Sequence, residues 1–262
     1  MNKKFSICFL LSMLSFYSHA EHLNQSFKIT TEQQSAIERI SSSYLINHPE
    51  IISSVLKKIT DNANVDKIEG MKKAAIENQK DLLNDKNTPS FGSENAPASV
   101  VVFFDYQCIY CSRLNPVIEQ MMKTYPQMRF IFKEWPIFGK RWPESLQAAK
   151  VGLQIFKEKG SEAYLKYHNT LFSLEHNEGK LTTSDISQIE TFLNFSYKKT
   201  FNPIPTLENI NNLAQKIGFG GTPAIIVIPS KNAGLLNTTI FAGMPGTEQL
   251  QNAIDTALTT HY

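Results

Sequence analysis

Two hydrophobic rhythms divide the chain. After an apolar leader, apolar residues recur three and four positions apart: Ile37, Ile40 and Tyr44 line one face of a helix, and Ile51, Ile52, Val55, Leu56 and Ile59 line a second. Thr31 with Gln34, and Asn47 with Glu50, have the spacing of capping boxes, and Pro49 suits the first position of the second helix. A weaker pattern over 65–83 carries Ile68, Met71, Ala75 and Leu82 on a mostly charged helix. Three short amphipathic helices cannot bury their own stripes, so residues 21–84 are expected to pack on the main domain or on another copy of the chain, as an N-terminal oligomerisation segment.

From Asn84 to Pro97 the residues are Asn, Asp, Ser, Pro and Gly in the main, a linker in which Phe91 to Asn95 reads as an edge strand and turn. The rhythm then changes. Ser99 to Phe104, SVVVFF, is the continuous apolar run of a strand buried on both faces. A helix from about Cys108 to Tyr125, carrying Leu114, Val117, Ile118, Met121 and Met122, leads to a second strand, Arg129 to Phe132, and makes a right-handed parallel crossover. About 75 residues without a strand signal follow. Leu146, Ala149, Leu153 and Phe156 make one helical face there, Tyr164, His168 and Leu171 another, and Ile186, Ile189 and Leu193 a third. Ala224 to Ile228 and Asn237 to Ala242 then form a hairpin about a turn at Ser230 to Gly234, and a helix from Glu248 to about Leu258 closes the chain. The order βαβ, helical block, ββα predicts an α/β thioredoxin fold over 85–262 with a helical domain inserted at about 143–216.

Composition changes the picture in one respect. Lys3 and Lys4 precede an apolar run from Phe5 to about Tyr17, and Ser18-His19-Ala20 puts small residues where a signal peptidase reads. The run is shorter than the about 20 residues a bilayer span needs, so residues 1–20 read as a secretory signal, and Cys8 leaves with it. Loss of Lys3 and Lys4 leaves 24 basic against 24 acidic residues, a balance that argues against nucleic acid or an anionic membrane surface as a partner.

The exported chain then keeps two cysteines, Cys108 and Cys111. A bridge closing so short a loop constrains little, so a working redox pair explains it better than a staple. Half of a zinc or copper site is the competing reading, but no further CxxC or HxxxH supplies the other ligands, and neither metal nor cofactor is called for. Cys108 at the start of a helix faces unpaired amides and the positive end of the helix dipole, which favour its thiolate, and Cys111 follows one turn later. Ile109 and Tyr110 between them offer no cation, so any lowering of the Cys108 pKa is expected to come mainly from the helix terminus. Pro223, after Gly220-Gly221-Thr222 and entering a strand, is expected in a cis bond facing the cysteines.

FFDYQCIYC with Asn115-Pro116, FIFKEWPIFG at 130–139, YHNTLF at 167–172 and GGTPA at 220–224 resemble the DsbA-like thiol:disulfide interchange proteins. The similarity is to the branch with an N-terminal helical segment of the YLINHPEII kind, which includes outer-membrane-associated antigens of intracellular Gram-negative bacteria. It covers about residues 31–260. The resemblance implies that Cys108 is the nucleophile and Cys111 the resolving thiol. It also implies that Pro223 is the cis-proline and that the Thr222 backbone pairs with a substrate strand, beside Ile109 and Tyr110. It further implies a periplasmic, in some members outer-membrane-associated, oxidoreductase that forms or isomerises disulfides in unfolded or partly folded exported proteins. Its partners would be a membrane redox protein and, through the N-terminal segment, a second copy in a homodimer or higher oligomer.

Two departures stand out. Many relatives place a buried acid where this chain has Val102, and the Ile-Tyr dipeptide lacks the His that stabilises the thiolate in the strongest oxidants, which implies a milder one. Other polar residues read as structural: His168 as packed or hydrogen-bonded, Asp105 and Glu134 as solvated or locally bonded carboxylates, Tyr106 and Trp135 as packing. The alternative to an enzyme is a periplasmic chaperone or surface-associated binding protein on the same fold.

Overall fold

The computed structural model describes residues 29–259, which divide into two compact units, residues 29–59 and 60–259. The leader 1–20 lies outside the described residues.

In the first unit, α1 (Thr31–Asn47) starts from a capping box one residue earlier than expected. The Gln33 amide donates to Thr30 Oγ1 at 3.2 Å, and the Thr30 amide donates to the Gln33 side chain at 2.9 Å. Either threonine of the Thr30-Thr31 pair could have capped; the one three residues before a Gln side chain that reaches back does so. His48, held out of the helical region by the proline after it, ends α1, and Pro49 opens α2 (Pro49–Glu77). It is the His48 ring that lies 2.9 Å from Glu50, in place of the expected Asn47 cap. Ile37, Ile40, Tyr44, Ile52, Val55, Leu56 and Ile59 are each 45–69% exposed, and α1 buries no residue.

The expected second and third helices are one. Between Ile59 and Val65 stand Thr, Asp, Asn, Ala and Asn, none of which stops a helix: each costs at most about 0.7 kcal/mol against Ala, whereas Gly costs about 1 and Pro about 3. A short α3 (Gln79–Leu83) follows.

The second unit is built on a five-stranded sheet of order β1-β3-β2-β4-β5. The strands are β1 (Ser90–Phe91), β2 (Ala98–Phe104), β3 (Arg129–Glu134), β4 (Ala224–Pro229) and β5 (Thr239–Phe241). β2 and β3 run parallel across the crossover helix α4 (Ile109–Thr124), β4 runs antiparallel to β2, and the edge strand β1 sits inside the expected linker. Helices α5 (Pro143–Ser173), α6 (Thr183–Phe192) and α7 (Ile204–Ile217) form the block between β3 and β4, and α8 (Thr247–Thr259) ends the chain. This is the expected thioredoxin fold with a helical insertion.

Because β2 and β4 are buried throughout, their alternate side chains feed two separate cores. Val100, Val102, Phe104, Phe130, Phe132, Ile225 and Val227 face α4, α5, α6 and α8; Val101, Phe103, Ile131, Ile226 and Ile228 face Met71 and Ala75 of α2, α3 and α7. The first two stripes of the helical block share α5, which is interrupted at Gly160 (φ +81°), a backbone region that side chains other than Gly rarely adopt. α7 had no stripe of its own in the sequence reading, yet Leu207, Ile210, Leu213, Ala214 and Ile217 are the i, i+3, i+4 signature that would have found it.

Lys133 points from β3 into the second core. It is 1% exposed and donates to the Asp81 carbonyl and to Thr88 Oγ1, both at 3.1 Å, with Asp85 at 3.9 Å. Burial lowers its pKa to about 8 against the pull of Asp85 and Asp81. The segment 81–88 is thereby tied to the sheet by a lysine one residue beyond the expected strand.

Candidate active site

Two chain segments converge on the sulfurs. β2 ends at Phe104, its register opposite Ala224 of β4 pairs Phe103 with Ala224, and so the turn after β2 lies against the turn before β4. The first turn carries Cys108 at the N-cap of α4, and the second carries a cis Thr222–Pro223 bond, as the motif implied. Cys108 Sγ lies 3.3 Å from the Thr222 carbonyl oxygen and accepts from the Cys111 amide at 3.4 Å. Both cysteines are free and buried, Cys108 5% and Cys111 3% exposed. Ile109, half-buried, and Tyr110, 55% exposed, form the outer wall of the first helical turn.

The two thiols are electrostatically unlike. The pKa of Cys108 is lowered to about 6, first by the hydrogen bond from the Cys111 side chain; burial opposes this, and Thr222 and the Cys111 and Tyr110 amides add to it. The helix amides therefore act where the sequence placed them, but the neighbouring thiol contributes most, a correction to the expectation that the helix terminus dominates. Cys111 moves the other way, pushed well up by burial and then by Cys108 itself. The Thr222 hydroxyl is buried without a hydrogen-bond partner among the described residues, and Thr222 favours the anion at both sulfurs. One sulfur is thus an anion near neutral pH, and the other holds its proton.

The loop before Cys108 is fixed by two residues that sequence reasoning did not single out for this role. Asp105, 1% exposed, is the locally bonded carboxylate of the two expected alternatives: it accepts from the Gln107 amide (2.8 Å), the Phe138 amide (2.9 Å) and the Ser145 hydroxyl (2.8 Å). Burial raises its pKa and these three donors oppose the rise, joining the cysteine loop to the segment that enters α5. An Asp three residues before a helix N-cap is a turn signal that could have pointed here. Gln107 gives no such signal. It is fully buried, its carbonyl accepts from the Glu178 amide at 2.9 Å and its side chain from the Gly179 amide at 2.8 Å, so the loop between α5 and α6 is hung on the residue next to Cys108.

Val102 is buried opposite Phe132 and Ile225, where no acid stands. A buried carboxylate on that face of the sheet is Glu134, 1% exposed, which accepts from Tyr106 and Tyr164. His168 is packed as expected, its ring edge-on to Phe104 at 4.7 Å, and hydrogen-bonded to Asn115 and near Tyr106. Trp135 packs on Phe103 and donates to Asn211. Among the described residues no group of three or more His, Cys, Asp and Glu side chains could hold a metal ion, and no helix is long and apolar enough to cross a membrane.

A family model described as thioredoxin matches residues 84–256. The solved structure of BcfH from Salmonella enterica Typhimurium is similar at TM-score 0.76 and 32% identity, covering 87% of this chain and 96% of BcfH. ScsC of Proteus mirabilis in a transitional conformation gives 0.61 and 26%, covering 88% and 97%. The thiol-disulfide exchange protein alpha-DsbA2 of Wolbachia pipientis gives 0.59 and 25%, covering 71% and 94%. Among curated proteins, the Na(+)/H(+) antiporter NhaA 3 of Salinispora tropica is 21% identical over 152 residues, 56% of this chain; the chain spans 22% of that protein's length.

Proposed function

The chain belongs to the thioredoxin family, with DsbA-like thiol-disulfide oxidoreductases as its structural neighbours, and from that premise we propose that Cys108 and Cys111 are a redox pair that forms or isomerises disulfides in exported proteins. The single observation that supports this most is the unequal pair: an acidic Cys108 sulfur at the helix end beside the Thr222 carbonyl, and a protonated Cys111 behind it.

In the oxidising direction a substrate thiolate attacks Cys108 of the oxidised pair. The Cys108–Cys111 bond breaks, and a mixed disulfide joins substrate to Cys108. A second substrate thiolate attacks the substrate's own sulfur in that mixed disulfide and expels Cys108 as a thiolate, the form its surroundings favour. The substrate leaves with a disulfide, the pair keeps the two electrons, and a membrane partner that accepts them restores it. In the isomerising direction the Cys108 thiolate attacks a wrong substrate disulfide and is released when another substrate thiolate displaces it, with no net electron transfer. Thr222 and Pro223 flank the attacking sulfur, and the half-exposed Ile109 and Tyr110 offer apolar contact to an extended chain rather than to a defined sequence.

The setting we propose is the periplasm after removal of residues 1–20, with outer-membrane association open to particular members of the branch. The test is insulin reduction and scrambled-ribonuclease refolding by wild type and Cys108→Ser. We expect loss of both activities in the variant; equal rates would sink the redox reading and favour a chaperone or surface-associated binding protein.

We further propose that the apolar face of α1 and early α2 joins copies of the chain into a homodimer or higher oligomer, since its seven large apolar residues stand exposed. Met71, Ala75, Leu82 and Leu83 belong to the buried core of the second unit, so the informative truncation removes 21–59 and spares them. Light scattering is expected to give a multiple of the chain mass for the full protein and a single mass for the truncation. An unchanged mass per chain would end the oligomer proposal.

A further inference from the structure

The sheet has a second end, away from the cysteines, and a charged hollow lies there. Cys108 comes after the last residue of β2, whereas Ser99 stands near its first, about 17 Å back along the strand from Phe104. Parallel pairing sets Ser99 opposite Arg129, the first residue of β3, and both lie on the sheet face of Val101 and Ile131. Two positions further along each strand that face is apolar core; here it ends in a hydroxyl and a guanidinium. With Lys80 of α3 and Lys231 of the turn after β4 they line a cavity of about 660 Å³.

The wall is cationic and short of acceptors. Lys80, Arg129 and Lys231 stand against one carboxylate, Glu94, and none of the three cations forms an ion pair among the described residues. Ser99 is 1% exposed, yet its hydroxyl has no hydrogen-bond partner among the described residues. A hydroxyl so deeply placed costs stability unless something takes its hydrogen. Arg129 donates through Nη1 to the Leu83 carbonyl and through Nη2 to Ser90 Oγ, both at 3.0 Å, while its Nε is buried without an acceptor. Those two bonds fix the plane of the guanidinium and leave one hydrogen on each terminal nitrogen unspent. The walls are tied together as well: Gln79 Nε2 donates to the Pro229 carbonyl at 2.6 Å, joining α3 to the end of β4, and Ser230 Oγ donates to the Ala96 carbonyl at 2.6 Å.

We propose that this cavity binds the phosphate group of a small polar phosphoester, with Ser99 and Arg129 as the floor and the exposed Lys80 and Lys231 as the rim. A phosphate monoester brings a charge of about −1.5 to −2 near pH 7 and three strong acceptor oxygens, which answers three cations and an idle hydroxyl; a carboxylate brings one charge and two oxygens. The planar Arg129 fork suits two of those oxygens. The volume falls within the about 300–1,000 Å³ of small-molecule sites and leaves room beyond the phosphate, where Asn84 and Asn95 can meet hydroxyl groups. Glu94 alone in the wall repels such a ligand. The site stands apart from the cysteine pair and goes beyond the redox reading, with which it shares no residue.

Calorimetric titration of the full protein near neutral pH, with inorganic phosphate and with glucose 6-phosphate as probes, tests it. We expect one molecule per chain, the ester bound more tightly than the ion, no binding of glucose, and succinate at least about tenfold weaker than phosphate. Ser99→Ala and Lys231→Gln should each weaken both probes about tenfold, the loss of one hydrogen bond to a charged group, and Glu94→Gln should tighten them. Insulin reduction should be the same in all three variants as in wild type, which shows that they fold. No saturation by about 10 mM phosphate, succinate bound as well as phosphate, an ester no tighter than the ion, or affinities untouched by Ser99→Ala and Lys231→Gln would each overturn the proposal and leave the redox reading where it stands.

Discussion

Alkylation of the reduced protein by iodoacetamide is expected to follow a single thiol with a pH midpoint near 6, while Cys111 stays unmodified until the protein unfolds. The midpoint, three units below the ordinary 9.0, carries the information, not the plateau rate. At pH 7 the shift takes the sulfur from about 1% to about 90% thiolate, but a Brønsted dependence of about 0.4–0.5 makes each thiolate roughly twentyfold less nucleophilic, so the net gain at pH 7 is only a few-fold. Between pH 7 and 6 the difference widens, since an ordinary thiol loses anion tenfold over that unit while Cys108 loses about half, and below pH 6 it levels off because both then fall together. A midpoint at 8.5 or higher would remove the basis of the mechanism. The same shift has a stability counterpart. The folded pKa of Cys108 is depressed, so its contribution is present in full above pH 9 and is lost as pH falls through about 6; the reduced protein should grow more resistant to urea between those limits. An anion welcomed in the reduced state also favours reduction of the pair, which makes it an oxidant of substrates.

Acid should unfold the protein through His168. The unfolded chain takes up a proton on this residue below pH 6.5, whereas the folded one holds the ring neutral down to about 3. Over that window the unfolded state binds more protons, so stability falls with pH, by roughly 5 kcal/mol if the whole shift is expressed. Glu134 acts in the opposite sense, because its folded pKa is raised: the folded state keeps a proton that the unfolded chain has lost above pH 4.5, and stability drops as pH climbs from there toward the folded value. Between pH 4.5 and 6.5 the two slopes oppose each other, and below 4.5 only the histidine of the two still acts. Urea midpoints of wild type and His168→Gln measured from pH 3 to 8 should diverge at the neutral end and draw together in acid; parallel curves would show that the imidazole takes its proton in the fold as easily as in the chain.

What was legible in the sequence is what local spacing decides. SVVVFF leading into Cys108, the cysteine spacing on α4, and the glycines and proline before β4 each declare their element and its place in the fold. Boundaries inside polar helical sequence did not declare themselves. Thr30 and Thr31 are equally good caps until a Gln side chain chooses, and Thr60 to Asn64 reads as a gap only if weak helix formers are mistaken for breakers. The polar string behind the pair lay further out of reach. Asn115, Tyr106, Glu134 and His168 come from four separate elements, each alone reads as a packing or solvated residue, and only the folded arrangement shows that their hydrogen bonds interlock. Lys133 and Gln107 were hidden for the same reason: a buried polar residue is recognised by its partners, and those partners are 45 or more positions away in sequence.

The attachment of Gln107 to residues 178 and 179 bears on how this architecture can vary. Two amides of the helical insertion end on the residue that precedes the nucleophile, so the insertion is no detachable ornament on an older core. Any relative that shortens or exchanges it must rebuild the seat of the reactive sulfur as well, and lineages should therefore inherit helical block and cysteine loop together, as one unit of descent.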